Sequence, residues 1–292
     1  MIEAGIMAVS RLMPQDPRRA AMMTAVVRGL HSLKSSEPLR RTAQLLQQTE
    51  TSPSLIDRIV PPDSPTAKLA LAGAAIGAFG EGGAEFMSVG ALMAAGGLGF
   101  ALNSYACAAM TGFFRESLRG TGKDPAAFAR HSVAVSVGAG ILASWSGADV
   151  TTAKVAGALH NVGLGLLVWS NGKIYGGTSS PIAGTEAQIH DMEADLMGYD
   201  HQEAGASFLQ QLGFSQDIWQ AAATHHKPDA NGVALLVRTA DMAAHQMGCD
   251  LGFANSVVPE SQAVFQRLGD AKVGQLAEAV AAVTTNFSRL KD

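Results

Sequence analysis

Aromatic residues supply only 6% of this 292-residue chain and charged residues only 16%, against 47% hydrophobic. So little charge excludes a chain held open by its own polarity, and so few rings exclude a core built mainly on large aromatic side chains. Alanine, leucine, methionine and the 32 glycines must fill it instead, which closely approaching helices do best. Neither sign of charge dominates: 21 Lys and Arg face 25 Asp and Glu, a net charge of -4, with no run of either sign. That balance argues against nucleic acid as a partner. Cysteine is nearly missing as well. Cys107 and Cys249 stand far apart in Ala-rich surroundings, which excludes a disulfide framework and suits buried free thiols of a reducing compartment. The opening Met1-Ile2-Glu3-Ala4-Gly5 has an acid where a secretory leader has lysines, and a cytoplasmic location is the expectation.

Long hydrophobic runs are scarce too. Residues 86–102 (FMSVGALMAAGGLGFAL) approach membrane-spanning length. The Gly96-Gly97 pair, the many alanines, Glu81 and Glu85 just ahead and the lack of a basic or aromatic flank favour a buried helix over a membrane span. No strand-like alternation occurs, so the fold class expected is all-α. Ser64-Pro65 and Asp124-Pro125 each put a capping side chain before a first-turn proline. The loop Arg119-Gly120-Thr121-Gly122-Lys123 lacks phosphate-loop spacing, because Asp124 follows the lysine. It reads as a linker between an N-terminal helical region, 1–120, and a helical bundle with C-terminal helices, 121–292. In the second part helices are predicted over 124–145, 151–160, 185–197, 200–212 (opened by Asp200 and Glu203), 215–226 and 233–247, with one or two more from 261. The glycine-rich loop 171–184 lies near His160 and is a candidate gate, although a surface loop without a role is the simpler reading. The Ala/Gly-rich helices between Thr66 and Met110 can pack internally or against a second copy, so a homo-oligomer is open.

Five of the eight histidines fall on successive helices or at their ends: His131, His160, His201 and the adjacent His225-His226, with Asp241 in the next apolar helix. One buried histidine is usually a hydrogen-bonded core residue. Several on successive helices with an aspartate downstream are the ligand types of Fe, Mn, Zn or Ni centres, which bundles assemble from facing helices. His190, Asp191 and Asp195 suit a solvated acidic face, and His31 and His245 have no companions.

In order, Ala-Arg-His131-Ser, Ala-Leu-His160-Asn161-Val-Gly, Tyr-Asp-His201-Gln-Glu, Ala-Thr-His225-His226-Lys-Pro and Thr-Ala-Asp241-Met resemble the ligand-bearing segments of the HD superfamily of phosphohydrolases. The chain is most similar to HDOD domains, the signalling output branch related to HD-GYP phosphodiesterases. The resemblance implies an HD-like helical bundle with an N-terminal helical subdomain. Its pocket would have His131, His160, His201, His225, His226 and Asp241 as metal ligands, and Asn161, His201 and His225 facing a bound ligand. It also exposes departures. Asn161 stands where the family has its metal-bridging aspartate, and an amide cannot supply the charge that holds two cations together. Leu164 stands where active HD-GYP members carry a lysine, and no Gly-Tyr-Pro follows His226. The expectation is a signal-transduction output or regulatory protein with no catalytic residue, binding a signalling protein partner or a small nucleotide-like ligand, without nucleic acid or membrane. One divalent transition metal, or a plain polar network, would occupy the pocket. The alternative is a metal-dependent phosphohydrolase of a nucleotide or cyclic dinucleotide.

Overall fold

The computed structural model describes residues 17–48, 51–80, 83–175, 186–251 and 261–290. Residues 1–5 and, in the glycine-rich loop, everything after Tyr175 lie outside the described residues, so the leader and gate readings are not addressed. Every regular element among the described residues is a helix, which agrees with the all-α expectation.

The N-terminal third contains α1 (Pro17–Ser32), α2 (Ser36–Leu46), α3 (Pro53–Ile59) and α4 (Pro65–Ala75), and α5 (Val89–Ser117) follows. Ser64 caps α4 by accepting the Ala67 N–H at 3.3 Å, with Pro65 next, as its sequence predicts. Helix α4 then turns Ala67, Ala70, Gly73 and Ala74 inward. Helix α5 bends at Gly97, whose φ of 82° lies outside the helical region. Only glycine takes that conformation without strain, so the Gly96-Gly97 pair breaks what composition alone presents as one long helix.

The second part begins with α6 (Pro125–Ser146), capped by Asp124 through the Ala126 N–H at 2.9 Å. There follow α7 (Val150–Leu159), α8 (Val162–Ser170), the single turn α9 (Gly172–Tyr175), α10 (Glu186–Met197), α11 (His201–Leu212), α12 (Gln216–Thr224), α13 (Gly232–Gln246), α14 (Ser261–Leu268) and α15 (Asp270–Phe287). Two local boundaries shift from those predicted. Helix α7, predicted from 151, is capped by Asp149, which accepts the Thr152 N–H at 2.6 Å. The chain also re-enters helix at Val162, where no helix was predicted between 160 and 185.

Helix α6 is the axle of the molecule, packing against α5, α7, α13 and α15. Helices α5 and α6 are both long and apolar enough to cross a membrane, yet 83% of the apolar window of α6 and 56% of that of α5 is buried against other helices. One hydrophobic cluster runs from Met22 to Phe287 across both halves. Its scarce rings are concentrated: Phe208 of α11, Phe113 and Phe114 of α5 and Phe128 of α6 form a chain with centroids 5.8, 5.9 and 5.3 Å apart. Such pairs add directional contacts to area burial, and they fix α5 between α6 and α11, the helices that carry His131 and His201.

Candidate metal centre

The pocket histidines sit where helices begin, end or meet. His131 lies inside α6, His160 ends α7, Asn161 opens α8, His201 is the first residue of α11, His225 ends α12 and His226 follows it, and Asp241 lies in α13. Helices α8 and α11 cross with their backbones touching at Gly163 and Gly205; a Cβ on Gly163 would collide with the carbonyl oxygen of His201. That close approach brings the His160-Asn161 corner against the start of α11. Asp200 caps α11, accepting the Glu203 N–H at 2.9 Å, as the Asp-x-x-Glu pattern predicts.

Oxygen atoms fix the tautomers. Nδ1 of His131 lies 2.7 Å from the Cys249 carbonyl oxygen, Nδ1 of His160 2.7 Å from that of Gly157, and Nδ1 of His225 2.9 Å from that of Ala222. A carbonyl oxygen only accepts, so each Nδ1 donates its hydrogen and each Nε2 of the neutral ring keeps its lone pair. His201 is held by a carboxylate: Oε2 of the fully buried Glu193 accepts its Nδ1–H at 2.6 Å and its backbone N–H at 2.7 Å. Tyr175 donates its hydroxyl to the other Glu193 oxygen at 2.6 Å. Burial and the adjacent Glu193 charge push the Tyr175 phenol well above its ordinary value. Tethering of the distal nitrogen is the support that metal-binding histidines ordinarily have.

The six expected ligands divide into two groups. In one, Oδ1 of Asp241 is 3.0 Å from Nε2 of His131, 3.3 Å from Nε2 of His245 and 3.8 Å from Nε2 of His160. In the other, Nε2 of His201 lies 3.1 Å from Nε2 of His226, whose ring is 4.0 Å from that of His225. His160 and His225, with ring centroids 5.0 Å apart, connect the two. Asn161 and Leu164 are completely buried.

Two histidines are corrected by the structure. His245, expected to be isolated, stands over Asp241 one helical turn on, with its ring 4.6 Å from that of His131; the Asp-x3-His spacing was the signal that could have found it. His190, expected on a solvated face, is only 25% exposed, binds Oδ2 of Asp200 at 2.9 Å and lies 6.1 Å, ring to ring, from both His201 and His226. The Asp200 hydrogen bond raises the His190 pKa. Burial pushes the Asp200 carboxyl up, but His190, the Glu203 N–H and His201 together hold it down at about 2. Asp191 and Asp195 are exposed, and so is His31. Glu193 and Tyr175 carried no sequence signal, since one acid on an acidic helix and one tyrosine in a loop are unremarkable.

Among curated proteins none matches the sequence. Residues 97–228, from the bend of α5 to just past His226, match the HDOD domain. The structure is similar to an HDOD domain protein of unknown function from Geobacter sulfurreducens (18% identity, 87% of this chain and 91% of that one, TM-score 0.67). It is also similar to a Shewanella amazonensis SB2B protein provisionally named a phosphohydrolase (17%, 91% and 97%, 0.65). A third relative is a Marinobacter aquaeolei VT8 protein provisionally named a signal transduction protein (15%, 95% and 68%, 0.55). At these identities the structures speak for the fold. The fold is thus an all-helical bundle similar to those of HDOD domain proteins, and residues 97–228 of the chain match the HDOD domain.

Proposed function

We propose that this HDOD domain protein is a regulatory output module whose HD-derived pocket binds without hydrolysing. The observation that carries the reading is Asn161, wholly buried beside His160 at the meeting of α7, α8 and α11. Two-metal hydrolysis needs an anionic oxygen between two cations, and the amide there supplies dipole but no charge. The buried Leu164 cannot move a proton or neutralise a phosphoryl oxygen.

The remaining residues still fit one divalent transition metal. His131 and His160, with lone pairs left on Nε2 and their Nδ1 atoms tethered, and Asp241 between them would hold it, with His201, His225 and His226 alongside. When bound, such an ion orders the pocket and can polarise an oxygen of a ligand. The protein acts on this reading in the cytoplasm, without nucleic acid or membrane, through a signalling partner or a small nucleotide-like ligand. Intact ligand geometry favours the second reading, a metal-dependent phosphohydrolase.

Assay of the full chain with Mn²⁺, Fe²⁺, Zn²⁺ or Ni²⁺ on a chromogenic phosphodiester and on cyclic dinucleotides separates the two. We expect no turnover above the metal-only blank. Turnover that disappears in Asp241→Ala overturns the regulatory reading. Asn161→Asp is expected to raise metal stoichiometry from one towards two.

A further inference from the structure

The two groups of pocket histidines are chemically unlike. One is all nitrogen: His201, His225 and His226. The other contains the carboxylate: His131, Asp241 and His245, whose candidate ligand atoms all lie within 4.8 Å of one another. Asp241 and His245 are one turn apart on α13, so they face the same way, and His131 meets them from α6, which packs against α13.

The geometry points to a self-contained metal site made by His131, Asp241 and His245, in which His245 is a ligand and Asn161 has no part. This rests on the reading of the pocket as one that still holds a metal. At metal–ligand distances of 2.0–2.2 Å, neighbouring ligand atoms stand about 2.8–3.6 Å apart between right-angled and tetrahedral geometry. The separations of 3.0 and 3.3 Å from Asp241 Oδ1 to His131 and His245 both fall inside that window, which brings His245 closer to the carboxylate than His160 at 3.8 Å.

The hydrogen inventory leads the same way. Nδ1 of His131 gives its hydrogen to Cys249, so Nε2 of the neutral ring has only a lone pair to set against the Asp241 oxygen 3.0 Å away. Two acceptors at that distance repel. This buried Nε2 makes no hydrogen bond of acceptable alignment. A cation held by both atoms would resolve the contact. Two imidazoles and one carboxylate, with positions left open, suit Fe²⁺, Mn²⁺, Zn²⁺ or Co²⁺ better than Mg²⁺ or Ca²⁺, which prefer oxygen.

Metal-stripped full-length protein titrated with Co²⁺ and followed by visible absorption tests the site. His245→Gln is expected to weaken the tight binding phase at least about tenfold and to alter its spectrum, since ligand loss exceeds the effect of losing a mere support. His31→Ala, on the exposed face of α1, is expected to leave that phase unchanged. In wild-type protein with isotopically labelled histidines, loaded with NMR-active cadmium, Nε2 of His131 and of His245 should each show a one-bond coupling to the metal. This measurement needs no variant to fold. Unchanged cobalt affinity and spectrum in His245→Gln, or cadmium coupling absent from His245, overturns the assignment. Complete lack of tight metal binding by the wild type overturns both this site and the metal-holding pocket, whereas phosphodiester turnover bears on the regulatory reading alone.

Discussion

Glu193 uses one oxygen to hold both N–H groups of His201 and the other to take the Tyr175 hydroxyl, all out of reach of water. Removing the acceptor strands these donors in a buried place, so Glu193→Ala should lower the unfolding free energy by about 3 kcal/mol. Glu193→Gln should cost less, because its amide oxygen still accepts; urea unfolding of the two variants measures the difference. Equal losses would show that charge, not the accepting oxygen, is what His201 needs. The histidines and Asp241 were legible in the sequence because imidazoles on successive apolar helices are hard to explain otherwise. Glu193 was not, since on α10 it sits among acids that do face water, and only the path of the chain turns it inward. His245 was within reach, four residues beyond Asp241, but a lone histidine near a helix end had no partner to declare it.

Helix ends were the part of the secondary structure that local chemistry wrote most plainly. Ser64, Asp124 and Asp200 cap where their side chains and the following proline or glutamate predict. The α7–α8 corner escaped because His160 keeps helical angles and Asn161 departs only slightly (φ −98°, ψ 17°), with neither proline nor a positive-φ glycine to mark the break. What holds that corner is the backbone contact of Gly163 with α11, a long-range fact invisible to periodicity. Gly163→Ala should therefore cost about 3 kcal/mol or more in urea unfolding, as overpacking against a backbone that cannot yield. Gly112→Ala provides the contrast: its new Cβ meets nothing within 4 Å in α5, and a gain of about 0.5–1 kcal/mol is expected. If both variants behave alike, helix propensity and not the crossing governs this element.

Across the molecule, the N-terminal helices are joined to the bundle at Glu116 near the end of α5, which accepts the N–H groups of Lys34 and Ser35 at 3.1 and 2.8 Å in the turn between α1 and α2. Burial pushes this carboxyl up, but the Ser35 and Lys34 hydrogen bonds and Arg119 outweigh it and lower the pKa below its usual 4.5. The sign then follows: the contribution is complete above pH 4.5 and is lost as pH falls through the lowered value. Because the group is partly exposed, about 1 kcal/mol is at stake. Wild type should lose its Tm lead over Glu116→Gln between neutral pH and pH 3, and a constant difference across that range would contradict the account. The all-helical class and the order of the candidate ligands were legible at this scale, from composition and from the succession of histidine segments. The single continuous core and the division of the candidate ligands into two groups were not, because both depend on which helices lie against α6.

The tethers on the pocket imidazoles have a genetic consequence. Asparagine and aspartate codons differ only in their first base, so one transition at position 161 would install the missing carboxylate among histidines whose tautomers are already set. The distance between the proposed regulatory pocket and a candidate hydrolase, measured in mutations, is short, and a lineage carrying such a pocket can be sampled in either direction without rebuilding the bundle.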